Sequence, residues 1–213
     1  MDIKAFLFLL AVTLVYGDTK RCPADIIFLV DQSTSITHTV FNNSVKPFLT
    51  DSINGLNIDK DGDHVALIRF SSPGNTATEF DFENTFDKST LLQATISLAY
   101  DGGNTATVKA LSLAHDNFES IAARKDDYVK KAVAPVAVVI TDGVATDGDA
   151  ASAAKKLSDK GVHVFAIGVG QMAASDYLYD ITGDHSRVFP VEQSSKFTEK
   201  LLEVITAATA NCS

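Results

Sequence analysis

Four short runs constrain this chain more than any other feature: residues 25–30 (DIIFLV), 64–70 (HVALIRF), 136–140 (VAVVI) and 162–167 (VHVFAI). Each is too short and too β-branched for a buried helix. Each is also apolar at consecutive positions, not alternate ones, so both faces of the strand must be covered. That is the condition of a parallel sheet enclosed between helices. A weaker run, 77–82 (ATEFDF), alternates and is expected at an edge, and a short strand near 187–190 precedes the last helix.

Amphipathic segments fill the intervals. Phe41, Val45, Phe48 and Leu49 share one helical face, with Pro47 expected to bend or shorten that helix. Leu91, Leu92, Thr95 and Leu98 form a second, and Val108, Leu111, Ala114 and Phe118 a third. Segments 151–157, 175–181 and 197–208 supply three more. Strands alternating with helices specify a doubly wound α/β domain, with a mostly parallel six-stranded sheet and helices on both faces. No internal repeat or linker divides it. Ligands of such sheets bind outside the carboxyl ends of the strands, near the point where strand order reverses.

Three loops in those positions carry oxygen. Asp31-Gln32-Ser33-Thr34-Ser35 ends the first strand, Gly102-Gly103-Asn104-Thr105-Ala106-Thr107 precedes a helix, and Thr141-Asp142-Gly143 follows VAVVI. Any one alone reads as a helix cap or a turn. Together they offer carboxylates and hydroxyls without sulfur or clustered imidazole. Such a donor set suits a hard cation, Mg²⁺ first, with Mn²⁺ or Ca²⁺ as alternatives.

The residues DIIFLVDQSTSI, HVALIRFSS, GGNTATVKAL, VAVVITDG, VHVFAIGVG and RVFPV make the chain resemble the von Willebrand factor type A domain, also called the integrin I domain. The resemblance covers about residues 24–210 of the 213. It implies a Rossmann-like sheet with one antiparallel edge strand. It also implies a metal-ion-dependent adhesion site made by Asp31, Ser33, Ser35, Thr105 and Asp142. In that family the serines and threonine tend to ligate the metal directly and the aspartates largely through water. The partners implied are extracellular matrix proteins, collagens among them, or cell-surface receptors, reached through a partner carboxylate. The alternative is a structural unit that packs or cross-bridges a secreted matrix, fibre or shell. Val108, where many relatives have glycine, and Pro47 depart from the family pattern without touching a proposed ligand.

The ends of the chain speak to its compartment. Residues 1–17 read as a secretory signal peptide: Lys4, an apolar run from Ala5 to Tyr16, then small residues before a cleavage after Gly17. Residues 18–213 are then one domain, secreted to the matrix or extracellular space, and no second apolar run reaches membrane-spanning length. Cleavage removes Asp2 and Lys4, so the net charge of −9 persists. Such acidity disfavours nucleic acid and anionic lipid as partners. Cys22 and Cys212 read as an internal disulfide, worth about 5 kcal/mol in the chain-entropy model. The rival is an intermolecular cross-link. Asn42-Asn43-Ser44 is a glycosylation sequon centred on Asn42.

Other motifs read as structural. Gly168-Val169-Gly170-Gln171-Met172-Ala173 matches a nucleotide fingerprint but comes late in the chain, with no acidic residue ending a following strand. Asp59-Lys60-Asp61-Gly62-Asp63 lacks the sixth-position glycine and twelfth-position glutamate of a calcium loop, so it reads as a polar turn before the next strand. No Gly-x-Ser-x-Gly and no general base beside the three loops are present, so no enzyme is expected.

Overall fold

Strand β1 (Ala24–Asp31) is buried at all eight positions, and parity divides its side chains between two cores. Ile26, Phe28 and Val30 join one cluster, Ile27 and Leu29 the other. The computed structural model describes residues 22–83, 86–122 and 133–208. The expected leader, Cys212 and the basic cluster Arg124, Lys125, Lys130 and Lys131 lie outside them.

The remaining elements alternate as expected. They are α1 (Lys46–Asn54), β2 (His64–Phe70), β3 (Ala77–Phe80), α2 (Lys88–Ile96), α3 (Thr107–Ala122), β4 (Ala134–Thr141), α4 (Ala150–Ser158), β5 (His163–Gly168), α5 (Asp176–Thr182), β6 (Val188–Pro190) and α6 (Ser194–Ala208). The sheet order is β3-β2-β1-β4-β5-β6. All neighbours pair in parallel except β2 and β3, so the antiparallel edge strand falls where expected. It stops at Phe80, two residues short of the expected end, after a register shift opposite Leu67 and Ile68.

The two faces differ in grain. One packs Phe28, Phe165, Phe48 and Phe197 under α1, α2 and α6, with the Phe48 and Phe197 rings 5.1 Å apart. The other sets Ala66, Ala137 and Ala166 against Ala110 and Ala114 of α3 and Ala154 of α4. Small side chains on both partners let those helices lie close to the sheet. This face carries the starts of α3 and α4, next to the oxygen-rich loops.

Pro47 acts as expected on its helix, and the mechanism is visible. The segment before α1 is a π turn, Phe41–Val45, in which Lys46 N–H donates to the Phe41 carbonyl. Proline cannot donate an i−4 bond and its ring crowds that carbonyl, so the helix widens by one residue just before it.

At the amino ends of the strands, His64 Nδ1 lies 3.1 Å from Asp25 Oδ1, both nearly wholly buried. Asp63 beside them accepts the Ala24 N–H (3.0 Å) and the Asn57 N–H (2.8 Å). Burial pushes the Asp25 carboxyl up to about 7; His64 opposes the rise and the Asp63 charge adds to it. A carboxyl whose folded pKa is raised stabilises the fold at low pH and loses that contribution as pH rises. The contribution of Asp25 to stability therefore falls between about pH 4, the unfolded aspartate value, and about pH 7. Asp25→Asn, followed by urea denaturation across that range, should flatten this slope; an unchanged slope would place its origin elsewhere.

Candidate metal centre

The chain runs from β1 outward to the β3 edge, then returns to β4 and runs outward to β6. The order reverses between β1 and β4, which pair from Ala24↔Ala134 to Val30↔Ile140. Their carboxyl ends, Asp31 and Thr141, meet at that crevice. Asp31 is fully buried, with Oδ1 accepting the Ser33 N–H (2.7 Å) and Oδ2 accepting the Thr141 hydroxyl (2.6 Å). A 3₁₀ turn, Thr34–Ile36, then curls the chain so that Ser33 Oγ and Ser35 Oγ lie 3.1 Å apart. Ser35 Oγ donates to Asp142 Oδ1 at 2.7 Å. Asp31, Ser33, Ser35 and Asp142 are thus brought together at one strand-end crevice.

Thr105 approaches from the glycine loop. Its hydroxyl is 3.7 Å from where a Cβ on Gly143 would stand, so it faces the Asp142-Gly143 turn. The loop is pinned to β1's end by Thr34 N–H to Gly103 O (3.0 Å) and Gly103 N–H to Thr34 Oγ1 (2.8 Å). Gly103 has φ 111°, and a Cβ there would come within 2.7 Å of Ser72 Oγ; only glycine fits.

Sequence reasoning gave no role to Thr141, Gln32 or Tyr100. Thr141 bridges the two strand ends, Gln32 Nε2 donates to Ala99 O (2.6 Å), and the Tyr100 hydroxyl donates to Ser33 O (3.1 Å). A threonine directly before the strand-ending Asp142 was the available signal for the first. The other two depend on contacts 67 residues away in the chain.

Electrostatics favour a cation here. Burial pushes the Asp31 carboxyl up to about 6, against the hydrogen bonds of Thr141 and Ser33, and the Asp142 charge pushes further. Desolvation raises Asp142 as well, opposed by Ser35. Two neighbouring carboxylates that are costly as anions, joined by neutral hydroxyls, fit a hard divalent cation. Among the described residues no group of three or more His, Cys, Asp or Glu is placed to hold a metal, so hydroxyls must complete this set.

The other motifs take structural roles. The Gly168-to-Ala173 segment enters a 3₁₀ turn, Gly170–Ala174, after β5. In the 59–63 turn Asp59 binds its own backbone, Oδ1 accepting Asp61 N–H at 3.0 Å, while Asp63 pins β1. Asn42 lies on the π turn with its amide donating to His38 O at 2.8 Å. Cys22 is buried just before β1. No described helix is long and apolar enough to cross a membrane.

Comparison with known proteins agrees with this fold. The family model of the von Willebrand factor type A domain matches residues 25–204. The collagen alpha-1(XX) chain of Homo sapiens is 39% identical over 160 residues, which is 72% of this chain and 12% of that one. Cuticlin-6 of Caenorhabditis elegans is 32% identical over 194 residues, 91% of this chain and 32% of that one. Proximal thread matrix protein 1 from the mussel byssus, solved with a zinc-occupied metal-ion-dependent adhesion site motif, superposes with a TM-score of 0.72 at 24% identity. That match covers 88% of this chain and 46% of the other. The chain therefore spans less than half the length of these relatives.

Metal-free protein should show the cost of this design. At pH 8 in EDTA, Asp31→Asn should be more stable than the parent by about 2–3 kcal/mol, the scale set by its raised pKa. The same variant should bind no divalent cation. Denaturant unfolding with a parallel metal titration checks both; a metal-free variant less stable than the parent would refute the burial argument.

Proposed function

Since the chain belongs to the von Willebrand factor type A domain family, we propose that it is a secreted matrix-binding module that presents a divalent cation, Mg²⁺ first, to a partner carboxylate. Asp31, Ser33, Ser35, Thr105 and Asp142 would hold the ion. The observation that carries the reading is the hydroxyl and carboxylate chain from Ser33 through Ser35 to Asp142, at the strand-order reversal. A cation held largely by neutral hydroxyls keeps its Lewis acidity and favours a further anionic oxygen.

The chain's own residues prepare the place for that oxygen. Thr34, Ser35 and Asn104 are exposed around the site, and Val144, two residues after Asp142, is 59% exposed. Exposed polar groups with an apolar residue close by in the chain suit an acidic side chain carried on a protein partner. The partner class is an extracellular matrix protein, collagen among them, or a cell-surface receptor. Within the same reading, residues 1–17 direct secretion, Cys22 and Cys212 close an internal bridge, and Asn42 accepts a glycan. No catalysis belongs to it.

A second reading has its own support. The mussel byssus protein is by its name a thread matrix protein, and the similarity to the collagen chain and to cuticlin-6 extends over most of this chain. The domain would then pack or cross-bridge a matrix, with the metal serving stability.

Calorimetric titration of Mg²⁺ and Mn²⁺ into the mature chain, Asp31→Ala and Thr105→Ala separates these readings when paired with capture on immobilised collagens and matrix extract. We expect both variants to lose metal affinity, and EDTA to abolish capture by the parent. Metal binding without capture would favour the packing unit. Capture indifferent to EDTA and to both substitutions would move the docking surface off this site.

A further inference from the structure

The tripeptide Thr-Asp-Gly occurs twice in this stretch, at Thr141-Asp142-Gly143 and again at Thr146-Asp147-Gly148. The first copy supplies the proposed ligand Asp142 and the hydroxyl that holds Asp31. The second copy hydrogen-bonds to none of the five proposed ligands' side chains, yet its contacts converge on Thr105, the one ligand supplied by the glycine loop.

Thr146 binds both backbone groups of Thr105. Thr105 N–H donates to Thr146 Oγ1 (3.2 Å), and Thr105 O accepts from Thr146 N–H (2.9 Å) and Thr146 Oγ1 (3.3 Å). Asp147 fastens the helix that Thr105 leads into. Its Oδ1 accepts Val108 N–H (3.1 Å) and its Oδ2 accepts Lys109 N–H (2.8 Å).

Helix α3 needs that help. Helices α2, α4 and α5 are capped by their own preceding residues, Asp87, Asp149 and Ser175. The position before α3 is Ala106, whose carbonyl accepts the first helical bond from Ala110 but whose side chain has no oxygen. First-turn N–H groups require an acceptor, and a carboxylate there also meets the positive end of the helix dipole. Asp147 provides it from a loop 39 residues away. Gly148, at φ 141°, turns the chain over this contact, where a Cβ would stand 3.5 Å from Val108 Cγ2. Behind the loop, the Tyr177 hydroxyl accepts Ala145 N–H (3.0 Å).

We propose that the second Thr-Asp-Gly is a clamp: Thr146 and Asp147 are positioning residues that fix Thr105 at the correct separation from Asp142 and so set the affinity for the cation. The inference rests on the metal reading above. It assigns the Asp142 and Thr105 sides of the site to one nine-residue stretch, from Thr141 at the end of β4 to Asp149, so that β4 controls where the α3 loop sits.

The test compares Thr146→Val, which keeps the shape and loses the hydroxyl, with Thr146→Ser, which restores it, and with Asp147→Ala. Mn²⁺ and Mg²⁺ affinities are measured by calorimetry at 25 °C, beside melting temperature in EDTA and amide exchange at Thr105 and Val108. Outer residues that orient metal ligands typically alter affinity by about 10–100-fold. We expect Thr146→Val and Asp147→Ala to lose affinity on that scale while folded, with faster exchange at Thr105 or Val108, and Thr146→Ser to recover it. A lower melting temperature with affinity within about twofold of the parent would make the contacts merely structural and overturn the clamp. Should Asp147→Ala not fold, the Val and Ser pair at position 146 decides. A parent that binds neither ion would overturn the metal reading itself, and the clamp with it.

Discussion

The buried carboxylate of Asp31 is the constraint around which the upper end of this molecule is arranged. It stands at the last position of the central strand, where the parallel sheet excludes water from both faces. An anion in that place demands compensation. It receives a backbone N–H from Ser33, which bends the chain away from the strand direction, and a hydroxyl from Thr141, which joins the neighbouring strand. Those two bonds do not remove the penalty, since the carboxyl is still pushed up to about 6. A hydrophobic residue would serve the core better. Under the proposed function the cation supplies the charge that completes this acid, with the hydroxyls of Ser33 and Ser35, 3.1 Å apart, beside it.

The sheet makes such strain affordable. Parity along β1, β2, β4 and β5 sends successive side chains into two separate cores, so each strand is held from both sides. On the aromatic face, Phe197 of α6 lies within ring contact of Phe48, Phe165 and Phe189. On the alanine face, helices lie close and bring α3 and α4 to the site with little slack. Oxygen ligands drawn from loops need a frame that does not yield, and packed strand ends provide one. The opposite end of the sheet carries a second buried acid, Asp25, answered by His64 instead of by loop hydroxyls. Similar burial gives a structural pair at one end and an open donor set at the other, because only the carboxyl end faces the strand-order reversal.

Much of this was legible in the residues. Runs apolar on both faces announced the covered parallel strands, and oxygen residues directly after them announced the site. What could not be read were features created by three-dimensional neighbours. Pro47 announced a disturbed helix but not the form of the disturbance, a π turn just before it. Gln32 and Tyr100 looked like ordinary loop residues, because their partners are distant in the chain. The end of β3 at Phe80 follows from a register shift that no alternation pattern encodes. Thr141 was visible as a hydroxyl at a strand end; that it points across to Asp31 depends on which strand lies beside β1.

The two Thr-Asp-Gly copies make the same point more sharply, for identical tripeptides five residues apart do opposite work. In the first, the threonine still belongs to β4, so its hydroxyl projects sideways to the adjacent strand and the aspartate emerges at the crevice. In the second, the strand has ended and the chain lies over a helix start that lacks its own cap. The threonine then binds a neighbouring backbone and the aspartate becomes the missing cap. Local chemistry is the same: a short hydroxyl, a carboxylate and a residue free to turn. The surroundings differ in which groups are short of a partner: a buried anion at the strand end, bare N–H groups at the helix start. Each copy is assigned its role by the unsatisfied group nearest to it, which is why topology decides what a motif of this length does.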